Sequence, residues 1–99
     1  MKLPTIHLNG SSPRTMLDDC CEDMAALRHT IRLLESHGPN GRDYYTQLPN
    51  LVDEAHPVDA FEVARAEHVD RLKRLQSVLR ELETLAEHLS DAMAHRSRR

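Results

Sequence analysis

The stretch LKRLQSVLRELETLAEHLSDAM, residues 72–93, decides the fold. Leu72, Leu75, Leu79, Leu82, Ala86, Leu89 and Met93 recur at alternating spacings of three and four, which is the seam of an amphipathic helix packed on another helix. Val78, Leu85 and Ala92 add a flanking row, so the apolar stripe is wider than a two-helix seam requires. Thr84 and Ser90 do not interrupt it. The pattern predicts a helix over 59–94, followed by a solvated basic tail, HRSRR, at 95–99. The same spacing occurs earlier in Leu17, Cys20, Met24, Leu27, Ile31 and Leu34, predicting a first helix over 13–37. Ser12-Pro13 supplies its start and Gly38-Pro39 its stop.

Residues 38–58 form a connection that is long for a compact domain, and its apolar residues Tyr44, Tyr45, Leu48, Leu51 and Val52 predict order against the helices. Residues 1–12 form an extended arm, in which TIHL alternates like a short strand without a partner. The expectation is one all-α domain over 1–99: an antiparallel, coiled-coil-like two-helix hairpin with a long ordered loop and an N-terminal arm.

The second helix outlasts the first by about ten residues, at about 1.5 Å of rise each. Leu82, Leu85, Leu89 and Met93 therefore predict an oligomer interface, with the arm covering part of the overhang and a second copy the rest. A homo-oligomer follows, a dimer or higher, most simply a four-helix arrangement.

Composition bounds the partners. A formal net charge of −3 argues against a broad nucleic-acid footprint. No apolar run reaches the ~20 residues that cross a membrane. Cys20 and Cys21 are adjacent, and helical neighbours diverge, so the pair predicts free thiols and a cytoplasmic location. Arginine dominates lysine, and its planar fork suits carboxylates and phosphates.

The seam breaks where the loop lands. Continued backward from Leu72, the heptad places His68, Arg65, Phe61 and Val58 inward. Inward Arg65 and His68 need partners. One reading pairs them with Asp43, Glu35 or Glu67 in an ion-pair network. The other makes Arg42, Asp43, Tyr44, Tyr45, Arg65 and His68 a pocket for a small anionic or planar ligand, with Arg28, Arg32 and Arg71 adding charge.

Catalytic and metal motifs are missing: no glycine-rich phosphate loop, G-x-S-x-G, H-E-x-x-H or C-x-x-C. His88 with Asp91 and Asp91 with His95 are the helical pairs at ligand spacing, and they favour a surface role. The reading is a non-enzymatic protein with no catalytic residue, cofactor or metal.

TIHLNGSS at 5–12, PNGRDYY at 39–45 and ARAEHVDRLKRLQSVLRELETLAEH at 64–88 resemble a group of small, mostly uncharacterised phage and prophage proteins. These share an HLNG-type start, an N-[GA]-R-D-Y-Y loop and an A-R-x-E-H-x-x-R-L helix. Members often continue the loop Tyr-Tyr-Pro-Gln-Gly, whereas this chain has Tyr44-Tyr45-Thr46-Gln47-Leu48. The resemblance implies a phage protein acting in the bacterial cytoplasm. In that setting the expectation is a non-enzymatic binding protein acting on the host, in counter-defence, by sequestering a small anionic nucleotide-like ligand. The alternatives are a protein-binding inhibitor of a host enzyme or regulator, and a helical assembly or scaffolding factor.

Overall fold

The computed structural model describes residues 1–44 and 59–97. Two helices, α1 (Pro13–Ser36) and α2 (Ala60–Ser97), pack against each other, and the described residues contain no strand. A short 3-10 turn, Gly41–Asp43, lies between them.

Local chemistry sets the ends of α1. Ser12 is extended at φ −67° and ψ 144°, and its Oγ accepts from the Thr15 N–H at 3.1 Å. Pro13 opens the helix, where its missing N–H costs nothing. At the far end the His37 N–H is shared between the Leu33 and Leu34 carbonyls at 3.0 and 3.2 Å. Gly38 does not close the helix in the left-handed conformation, since no glycine has positive φ. The stop comes from Pro39, which bars the preceding residue from helical geometry. Asp59 begins α2: its Oδ1 accepts from the Phe61 N–H at 3.0 Å and its carbonyl from the Val63 N–H at 3.1 Å. The helix continues through Ser97, past the expected end at residue 94, because the expected tail, HRSRR, contains no helix breaker.

The helices run antiparallel. The Cys20 thiol donates to the Leu82 carbonyl at 3.3 Å, and Gly38 lies over His68. Cys20, Met24, Ile31 and Leu89 form the buried apolar core. Leu72, Leu75, Leu79, Leu82 and Ala86 are half-buried along the facing stripe.

The arm reaches the C-terminal half of α2. Gly10 N–H donates to the His7 carbonyl at 3.1 Å, forming a turn with Leu8 at its exposed tip. A side chain at position 10 would meet the His7 ring at 2.9 Å, so glycine permits this close approach. Beyond the turn, the Pro4 carbonyl accepts from His88 Nε2 at 2.8 Å; a carbonyl only accepts, so this ring nitrogen carries the proton. Lys2 and Pro4 line a groove of about 280 Å³ together with Asp19, Asp23, Leu85 and Leu89. This end of α2 is partly closed within one chain, as expected of the arm: Leu89 is fully buried, and Leu82, Leu85 and Met93 are half-buried.

Leu89→Ala is expected to destabilise the fold by about 3 kcal/mol, the usual cost of truncating a buried leucine. Val69→Ala, at a half-exposed position, should change stability by less than about 0.5 kcal/mol. Urea unfolding followed by circular dichroism checks both.

Candidate functional site

Phe61 organises the loop end of the hairpin. It stands in the first turn of α2 and is half-buried. Asn40 sets the turn above it: its Oδ1 accepts from the Arg42 N–H at 3.1 Å and its carbonyl from the Asp43 N–H at 3.0 Å. The Tyr44 N–H then donates to the Gly41 carbonyl at 3.0 Å. This places Gly41 against the Phe61 ring, where a Cβ would lie 3.7 Å from the ring carbons. It also sets the Tyr44 ring beside Phe61, with centroids 6.3 Å apart and planes tilted by 34°. Such offset aromatic pairs are favourable. From one turn further along α2, the Arg65 guanidinium lies 5.6 Å from the Phe61 ring centroid, a cation–π distance.

Of the six predicted site residues, five are described, and two of those come together. Tyr44 and Arg65 converge, on Phe61. His68 is half-buried beneath Gly38, on the facing side of α2, and its Nε2 is buried without a hydrogen-bond partner. A buried polar atom left unpaired costs roughly 1–3 kcal/mol. Arg42 and Asp43 are exposed on the 3-10 turn. Tyr45, and the expected packing of the loop from residue 45 to 58, lie outside the described residues.

Arg65 corrects the seam. Helix packing predicted it inward, but it is exposed, and Ala64 is the half-buried residue. The facing positions are Phe61, Ala64, His68 and Leu72, spaced three, four and four. A straight α-helix drifts about 20° per heptad from a strict 3.5-residue repeat, and that drift selects Ala64 over Arg65. The ion-pair reading is corrected with it. Among the described residues the ion pairs are Arg28 with Glu83 at 3.9 Å and Arg74 with Asp70 at 3.0 Å, so Arg65 and His68 are not paired with Asp43, Glu35 or Glu67. Both observed pairs are solvent-exposed and worth at most about 1 kcal/mol.

Phe61 is the residue of this cluster that motif reading passed over. The signal was there: it lies on the backward extension of the seam and is the third aromatic of the chain.

Elsewhere, the Cys20 thiol is pushed above its ordinary pKa by burial, with the nearby Cys21 and Asp23 adding to the shift and a backbone hydrogen bond at Ala86 opposing it. Cys20 is thus a packed core thiol, while Cys21 is exposed. Among the described residues no group of three or more His, Cys, Asp or Glu side chains comes together as a metal site. Among them, too, no helix is long and apolar enough to cross a membrane.

Fold and site together define a two-helix hairpin with an aromatic–arginine cluster at its loop end. The chain matches no protein-family profile, no curated protein and no solved structure.

A thiol reagent at pH 8 is expected to modify Cys21 rapidly in the native protein and Cys20 at least tenfold more slowly. Cys21→Ser should remove the fast phase, and denaturation should bring the two rates together. The sign for stability follows from the raised pKa: the contribution of Cys20 is full below its unfolded value near 9.0 and is lost as pH rises beyond it.

Proposed function

We propose that the protein is a non-catalytic binding protein that takes a small anionic, planar ligand of nucleotide type at the loop end of the hairpin. The observation that carries this reading is the Arg65 guanidinium held over Phe61 beside Tyr44, without a carboxylate partner among the described residues. A guanidinium oriented by an aromatic ring loses little freedom when it meets a phosphate, and it presents its donors as a fork. Tyr44 contributes a further aromatic face and a hydroxyl. Arg42, exposed on the adjoining turn, adds positive charge near the entrance. The unpartnered His68 Nε2 lies deeper, seven residues from Phe61 along the same side of α2.

The chemistry is sequestration. Arginine holds an anion and tyrosine a ring, and holding them requires no turnover. The resemblance to small phage proteins supplies the setting, a phage protein withdrawing a nucleotide signal from the bacterial host. Sequestration depends on affinity and copy number, which a chain of 99 residues can provide.

Thermal-shift measurements with nucleoside mono- and diphosphates and cyclic nucleotides test the reading. A rise in melting temperature is expected with at least one of them, and it should vanish in the Tyr44→Ala/Arg65→Ala double variant. A shift that survives both substitutions removes this site. No shift across the panel moves the reading to docking on a host protein.

A further inference from the structure

We infer that the N-terminal arm is a strap: residues 1–9 lift from the hairpin as a unit and uncover a docking groove for an extended segment, of which the arm is the occupant. The first argument is how the arm is held. Pro4 and Ile6 are half-buried while Leu3, Thr5 and His7 are exposed, the two-residue alternation of an extended chain with one face down. Met1 and Leu8 are 62% and 96% exposed, so these large apolar side chains add little to the hold. The Pro4 carbonyl accepts from His88 Nε2 at 2.8 Å. Among the described residues no backbone–backbone hydrogen bond joins residues 1–9 to either helix. A segment with so few buried contacts opens at far lower free-energy cost than the helical seam. The turn closed by the Gly10 N–H and the His7 carbonyl is its pivot.

The second argument is what lies beneath. Lys2 and Pro4 form one wall of the groove of about 280 Å³, and Cys20, Leu82, Leu85 and Leu89 are among the groups that line the rest. Leu89 is 0% exposed and Cys20 3%, whereas Leu82 and Leu85 on the same groove are half-buried. Cys20 meets Leu82, so in the antiparallel pair Leu89 is level with Pro13, the first residue of α1. The partner helix ends there, and the arm, anchored on the adjacent His88, supplies the remaining cover. Lifting the arm therefore opens the apolar floor and the Cys20 thiol to solvent.

The third argument is chemistry, and it defines what the groove accepts. Asp19 and Asp23, one turn apart on α1, give it an acidic side, and Lys2 is the cation that shares it. Pro4 has no N–H to leave unpaired against the helices, and its carbonyl is taken by His88. Ile6 places an apolar side chain on the same face two residues on. The groove thus selects a cation, a proline carbonyl and an apolar side chain at alternate positions of an extended chain. A segment on a short linker meets its groove at about millimolar effective concentration, which keeps the strap closed through these few contacts.

Full-length variants test the inference, with a peptide of residues 1–9, labelled at its C-terminus, as the probe. Ile6→Asp is expected to free the groove while circular dichroism shows the helices intact. That chain should bind the peptide at least tenfold more tightly than the wild-type chain, whose own arm competes. Adding His88→Ala or Asp19→Lys/Asp23→Lys to Ile6→Asp should cut this binding at least tenfold. In a Cys21→Ser background, Ile6→Asp should also speed thiol modification of Cys20 at least tenfold in urea far below the unfolding transition, and the peptide should slow it again. Equal binding of the peptide to both chains overturns the proposal, as does no binding to the Ile6→Asp chain. A Cys20 rate indifferent to Ile6→Asp, or one that rises only with global unfolding, overturns it as well.

Discussion

The apolar seam between α1 and α2 is the interaction on which every other feature rests. Two helices can close only one stripe of each, so among the described residues the buried core is small: Cys20, Met24, Ile31 and Leu89, of which Leu89 alone is fully enclosed. Side chains flanking that stripe stay half-buried, because no third helix stands over them. The 68 Å length of the molecule follows directly from this layout. So does its dependence on secondary contacts, since a small core leaves little margin against the conformational entropy of the chain.

Unequal helix lengths create two ends that the seam cannot close alone. At one end the arm folds back and places Pro4 against His88, adding a third segment over Leu85 and Leu89. At the other, the 3-10 turn lays Gly41 and Tyr44 on Phe61. The two solutions differ in chemistry. The arm contributes a backbone carbonyl and apolar contact, which finish packing. The loop end gathers two aromatics and a cation, with no carboxylate paired to that cation among the described residues.

Much of the hairpin was legible in the sequence because its signal is periodic. The seam leucines and the Ser12-Pro13 start are local patterns whose geometric meaning does not depend on the rest of the chain. The candidate site was legible only in part. Tyr44 and Arg65 were both singled out, and they do meet, but through Phe61, which composition marked only as one aromatic among three. Extrapolating a strict heptad backward put Arg65 inside, whereas accumulated drift puts Ala64 there. Phase errors of this kind grow with distance from the well-determined part of a helix, and the first turns of α2 lie farthest from its leucine-rich centre.

By itself the sequence determined that the protein is two long amphipathic helices folding back on each other, because apolar spacing and capping residues act over a few neighbouring positions. Only the tertiary structure decided where the arm lies, which side chain becomes the hub of the loop end, and that Leu89 is enclosed within its own chain. Those outcomes depend on contacts between residues far apart in the chain, such as Pro4 with His88 and Gly41 with Phe61. No local pattern encodes such contacts. They are fixed by the lengths of the helices and by which surfaces remain uncovered once the seam has formed.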